Sequence, residues 1–289
     1  MKKKIDFTKK YDNVLDIKSI YSYKRKLPKI DFRQVGLEIE ISVNYRRDQF
    51  SFIKSLLLKM KEAVGDKGYF VKDGTVLGNY QFEIVLDPLY PNELNKIFQK
   101  LKDIIDHSEG TFEISSEKNC GIHLNFNKLE IVDKKVAHQR LLSLILENRD
   151  LFEENIYKKF KFIWDYSKYF EYQKTISSKY LAVNYLKKRV VEIRNIKVSI
   201  KPEKLIKLIK LITVALYKEN LTDEEIKKMK ITPTFDVYSN IKRLLEKSFE
   251  SVNSKELIKK IKDEKLLIIS LKDDIPKIIS RDELEKGGK

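Results

Sequence analysis

Four short stretches of this sequence follow one plan, and that plan restricts the folds open to it. In VGLEIEIS, residues 35–42, Leu37, Ile39 and Ile41 alternate with Gly36, Glu38, Glu40 and Ser42. In QFEIVL, residues 81–86, Gln81 and Glu83 stand opposite Phe82, Ile84 and Leu86. GIHLNF, residues 121–126, sets Gly121, His123 and Asn125 against Ile122, Leu124 and Phe126, and VVEIRNI, residues 190–196, sets Glu192 and Arg194 against Val191 and Ile193. A period of two belongs to a β-strand, whose successive side chains point to opposite faces. Each stretch therefore predicts a strand with one aliphatic face and one polar face. The polar faces carry Glu38, Glu40, Glu83, His123, Glu192 and Arg194.

Lysine is abundant along the chain, yet none of these four stretches contains one. A merely solvated face would have collected lysine like the other surfaces. Carboxylates gathered on one sheet face repel each other unless cations sit among them. Hard divalent ions such as Mg²⁺ or Mn²⁺ take oxygen ligands, and histidine is acceptable to manganese. The pattern alone leaves two readings, a metal site and a bland acidic face, and the missing lysines favour the first.

The formal charge of +16 suggests a polyanionic partner. The excess is spread along the chain rather than held in one block, so solvated lysine is preferred to a nucleic-acid patch. One cysteine, Cys120, excludes an intramolecular disulfide and fits a reducing cytoplasm. Its place just before a strand suits a small buried residue better than a nucleophile. MKKKIDFTKKYD at the start has charge but no apolar segment of a secretory signal. No apolar run approaches the ~20 residues of a membrane-spanning helix. The expectation is a soluble cytoplasmic protein with no membrane partner.

The spacing predicts a basic arm over residues 1–30 and a helix over 50–65 with Gly65 as its C-cap. Residues 68–88 read as two antiparallel strands, with Asp73-Gly74 and Gly78-Asn79 as turn chemistry and Pro88 and Pro91 closing the second. A helix over 91–107 carries Leu94, Ile97, Leu101, Ile104 and Ile105 as its apolar stripe. A short strand over 111–116 and a helical region over 133–160 follow. Trp164, Tyr166, Tyr169, Phe170 and Tyr172 form an aromatic cluster, either core or pocket wall, with core preferred. Two strands lie within 177–198, a helix starts at Pro202, and further helices run to about 272. The fold class expected is α+β: a mostly antiparallel sheet with helices on its apolar face, its acidic face open, and a helical C-terminal region.

At these same residues the chain resembles the amidoligase family, whose members share the sheet and site of glutamine synthetase and glutamate–cysteine ligase. Four motifs carry the resemblance. G-x-E-x-E is Gly36 to Glu40. Asp-Gly-Thr at 73–75 with Phe-Glu-Ile-Val at 82–85 is similar to the family's D-G-S…E-hydrophobic-V element. Gly121 to Asn125 is similar to G-hydrophobic-H-V-H, and Lys179, Asn184 and the run to Arg194 to K/R…N…E-F-R. Their order and rough spacing agree over residues 35–215. Two positions depart: Asn125 stands where the family has a second histidine, and Thr75 where it has serine.

The resemblance implies the catalytic sheet of glutamine synthetase over 31–219, between a basic arm at 1–30 and a helical extension at 220–289. It implies two metal positions, one at Glu40 and Glu83 helped by Asp73, the other at Glu38, His123 and Glu192. It implies ATP, with Arg194 facing the γ-phosphate, assisted by Lys179, Asn184 and His123; the alternative for Arg194 is an ion pair with the neighbours of Glu192. The implied activity is that of an ATP-dependent ligase using Mg²⁺ or Mn²⁺, in which a carboxylate attacks ATP and an amine attacks the acyl phosphate; Arg194 and Glu83 are its catalytic residues. The lack of any Ser-His or Cys-His arrangement agrees with this. Two other readings stay open. One is a non-catalytic interaction protein that keeps the fold, of phage or mobile-element origin, for which Asn125 is the best argument. The other is a nucleic-acid-binding protein that uses the basic arm and the C-terminal helices.

Overall fold

A computed structural model describes residues 31–44, 50–72, 80–114, 120–152, 182–233, 235, 268–272 and 275–279. The chain divides into two compact units: Met1–Asn125 with Ile196–Ile206, and Phe126–Asn195 with Lys207–Lys289.

In the first unit, β1 (Val35–Val43) is the central strand. β3 (Tyr80–Leu89) and β5 (Ile122–Asn127) both pair with it antiparallel, β2 (Gly68–Lys72) pairs antiparallel with β3, and β4 (Phe112–Glu113) pairs with β1 at Ser42 and Val43. The alternation seen in the sequence is kept: Leu37, Ile39, Ile41, Phe82, Ile84, Leu86, Ile122 and Leu124 are all buried. Two helices, α1 (Phe50–Val64) and α2 (Pro91–Asp106), lie against each other, and α2 also lies against β1, β3 and β4. Proline suits the first turn of α2, where its missing N–H has no partner to lose. The buried stripe of α2 is Leu94, Phe98, Leu101 and Ile105. Phe98 replaces Ile97 and Ile104 in that stripe, because steps of four, three and four keep one face of a 3.6-residue period. Gly65 ends α1 as expected, at φ 57° with its N–H donating to the Lys61 carbonyl at 2.8 Å.

The second strand ends between the two prolines expected to close it, one residue past Pro88 and ahead of Pro91, where the next helix begins. β3 continues to Leu89 through a register shift between the pairs Val35–Leu89 and Leu37–Leu86. Such an irregularity accommodates a residue that has no N–H for the ladder.

In the second unit, β6 (Val183–Asn184) pairs antiparallel with β7 (Val190–Ile196). α3 (Lys134–Glu147) starts at Asp133, whose carboxylate accepts from the N–H groups of Lys135 and Val136 at 2.9 and 3.0 Å. This helix ends at Glu147, and residues 153–160 of the expected helical region lie outside the described residues. Asn148 turns both its backbone N–H and its side-chain amide onto the Leu144 carbonyl, and a 3₁₀ turn follows at Arg149–Leu151. α4 (Pro202–Tyr217) ends in a buried tyrosine whose hydroxyl donates to the Asn127 carbonyl at 2.9 Å. Burial pushes the Tyr217 hydroxyl well above the ordinary tyrosine range and Glu130 adds to this, while the hydrogen bond to Asn127 opposes it. α5 (Asp223–Lys228) opens with a capping box between Thr222 and Glu225.

Residues 268–279 correct another expectation. The described residues there are two strands, β8 (Ile268–Lys272) paired antiparallel with β9 (Ile275–Ile279), where helix had been extended to 272. Isoleucine-rich segments interrupted by Pro276 favour extended backbone. The arm at 1–30, the Asp73-Gly74 and Gly78-Asn79 turns and the aromatic cluster at 164–172 lie outside the described residues. Among the described residues no helix is long and apolar enough to cross a membrane. The architecture is α+β, an antiparallel sheet with helices packed on it.

Candidate metal centre

Strand pairing decides which polar side chains meet. Across β1 and β5, Glu38 faces His123 and Gly36 faces Asn125. Across β1 and β3, Glu40 faces Glu83. Directly opposed residues have Cβ atoms about 5 Å apart, so these side chains are neighbours by construction.

The polar face is not open, contrary to expectation. Glu40 is 8 % exposed, His123 3 % and Asn125 9 %, while Glu38 and Glu83 are half-buried. A carboxylate withdrawn from water is costly unless it is paired or bound to a cation. The burial therefore strengthens the argument that four lysine-free strands first raised.

The first unit holds an ordered chain of contacts. Asn125 donates its side-chain amide to Glu38 Oε1 at 2.8 Å. Glu38 Oε2 stands 3.4 Å from His123 Nδ1. His123 Nε2 stands 4.0 Å from Glu40 Oε1. With its Nδ1 side turned to one carboxylate, a neutral imidazole offers its Nε2 lone pair in the direction of the other. Glu40, Glu83 and His123 each present one ligand atom, and these atoms all lie within 4.8 Å of one another. Donors around Mg²⁺ stand about 3.0 Å apart when adjacent and about 4.2 Å when opposite, so the three would draw together to close on an ion. Two carboxylates and an imidazole also have the donor chemistry that Mg²⁺ or Mn²⁺ accepts.

Gly121 makes the room for this. A Cβ there would lie 2.8 Å from His123 Nε2 and 3.2 Å from Glu40 Oε2, while the Gly121 carbonyl accepts from the Glu40 N–H at 3.0 Å. We expect Gly121→Ala to displace the imidazole and weaken Mn²⁺ binding about tenfold, the effect of losing an orienting partner. Titration calorimetry reads this directly, and unchanged affinity would show that the ring has another place to go.

The second unit places Glu192, Arg194 and Asn184 together, with Asn184 opposite Glu192 across β6 and β7. Glu192 is 1 % exposed. Its Oε2 accepts from Asn184 Nδ2 at 2.9 Å and from Arg194 NH1 at 3.2 Å. Lys187 Nζ lies 2.6 Å from its Oε1. Arg194 pairs with Glu192 itself, where the alternative left open was an ion pair with the neighbours of Glu192. The sequence reading passed over Lys187, since a lysine in the run Lys187-Lys188-Arg189 carries no mark of its own. Asp73 and Lys179 lie outside the described residues. Cys120 is buried, with Sγ 3.6 Å from the Glu113 carbonyl, as a small packed residue would be.

No family model matches this chain, and no curated protein does. Among solved structures, the chain is similar to a novel glutamine synthase homolog at 12 % identity, covering 80 % of this chain and 70 % of that one, with a TM-score of 0.37. It is similar to Plasmodium falciparum glutamine synthetase at 11 % identity and a TM-score of 0.39, covering 75 % of this chain and 56 % of that enzyme. A third similarity is to Clostridium acetobutylicum aspartate kinase at 13 % identity and a TM-score of 0.21, covering 67 % of this chain and 36 % of that one. At this identity and overlap they are distant likenesses and nothing more.

Proposed function

We propose that this chain is an ATP-dependent ligase that joins a carboxylate to an amine, with a divalent ion held by Glu40, Glu83 and His123. The observation that carries the reading is the triad itself: two carboxylates and an imidazole, two of the three buried, with ligand atoms within 4.8 Å. The order of the four motifs along the chain supports it.

The reaction follows from the charges. A substrate carboxylate oxygen attacks the γ-phosphorus of ATP, the bond to the bridging oxygen breaks, and ADP leaves with that electron pair. The amine nitrogen then attacks the acyl carbon, phosphate departs, and the nitrogen loses a proton. When bound, Mg²⁺ or Mn²⁺ supplies neutralisation of phosphate oxygens. The chain's own residues do the rest. Asn125 holds Glu38, Glu38 fixes the His123 ring, and Glu40 and Glu83 complete the donor set. Arg194 offers a guanidinium to a phosphate from a position anchored on Glu192. Asn125, in place of the family's second histidine, keeps a hydrogen-bonding role that serves this arrangement.

The test is Mn²⁺ calorimetry on the wild-type chain, followed by ADP release with panels of carboxylate and amine pairs in the presence of Mg²⁺ and ATP. Metal binding with ADP formation is expected. Absence of metal binding sinks the reading. Metal binding without ATP binding or turnover favours an interaction protein that has kept the fold.

A further inference from the structure

We propose that Lys187 is the resident cation of the Glu192 carboxylate and takes the place that the resemblance gives to a second metal ion. Only the metal part of this rests on the ligase reading. Both Glu192 oxygens are already engaged, Oε1 with Lys187 at 2.6 Å and Oε2 with Asn184 at 2.9 Å and Arg194 at 3.2 Å. A divalent ion at Oε1 would have to displace an ammonium that lies in contact with that oxygen, and the two like charges repel. Two cations already stand against this one buried carboxylate, so the charge of Glu192 is compensated without a metal.

Lys187 is also placed rather than adventitious. Leu186, Lys188 and Arg189 around it are exposed, while Lys187 is half-buried. Asn184 Oδ1 accepts from the Leu186 N–H at 2.9 Å, which curls the chain just past β6. Lys128 Nζ donates to the Tyr185 carbonyl and lies 3.5 Å from the Lys187 carbonyl oxygen. The Lys128 N–H donates to the Arg189 carbonyl at 2.9 Å. The segment that carries Lys187 is thus tied before, at and after that residue.

Two measurements on the full chain test this. In EDTA, Lys187→Met and Glu192→Gln are each expected to lower the melting temperature by about 4 °C or more, and the double variant by clearly less than their sum. Additive shifts would overturn the proposal. With Mn²⁺, the wild type is expected to take up one ion per chain, and Glu192→Gln to keep that ion within twofold in affinity. Uptake of two ions, or loss of an ion in Glu192→Gln, would also overturn it. If the wild type takes up none, the metal reading of the ligase fails, and the melting cycle in EDTA still decides Lys187.

Discussion

Glu40→Gln is expected to weaken Mn²⁺ binding by roughly 100-fold or more, since residues that only orient a ligand already cost 10- to 100-fold. Glu40 is the buried member of the carboxylate pair, 8 % exposed, opposite Glu83 and 4.0 Å from His123 Nε2. Glutamine keeps its shape and removes the charge, so packing on β1 is preserved. The readout separates the site from the fold. At a metal concentration about 100 times the dissociation constant, a bound ligand adds about 2.7 kcal/mol, which raises the melting temperature of a chain this size by about 5–10 °C. The wild type is expected to show that rise with Mn²⁺ and Glu40→Gln to show none, with the two melting alike in EDTA. A variant that keeps the metal-induced rise would remove Glu40 from the donor set.

Arg194→Lys carries the second large effect. A ligase that relies on this guanidinium for phosphate charge loses on the order of a thousandfold in ATP turnover when it is removed. Lysine keeps the charge but not the planar fork that holds two oxygens at once. The neighbouring contacts sharpen the prediction. Arg194 NH1 is spent on Glu192 at 3.2 Å, so the remainder of the fork is what a phosphate would meet. A lysine could satisfy Glu192 or the phosphate with its single head, not both. Steady-state ADP release and a melting curve on one preparation decide between the roles. Lost turnover with an unchanged melting temperature assigns Arg194 to the nucleotide. A fall of several degrees with ATP binding absent in the wild type assigns it to the Glu192 ion pair alone.

Strand identity could be read from period alone, and so could the gathering of Glu38 and Glu40 on one face, because alternation is a local property. Pairing register is not local. That Glu40 meets Glu83 and Glu38 meets His123 depends on how distant segments align. Burial of the polar face escaped for a similar reason, since charge in the sequence argues for solvent and only tertiary packing overrides it. Helix ends turned on single side chains: Gly65 announced its stop, whereas Asn148 stopped α3 by a hydrogen bond to Leu144 that any asparagine in a helix has the chemistry to make. Lys187 had no sequence signal at all, since 59 lysines and arginines hide one that matters.

The pairing of β1 with its two neighbours has a consequence for descent. Because Glu38 and Glu40 are chosen by strand parity, the centre is written in whole residues and tolerates no fractional change. A single inserted residue ahead of Glu38 inside Val35–Val43 would turn both carboxylates through to the helix-facing side and bring aliphatics to the donors. Changes of length are harmless to the donors only where they fall between strands. A lineage carrying this centre is therefore free to rewrite its helices and stretch its connections, while the residue count from Gly36 to Glu40 is held to an integer that selection cannot adjust by degrees.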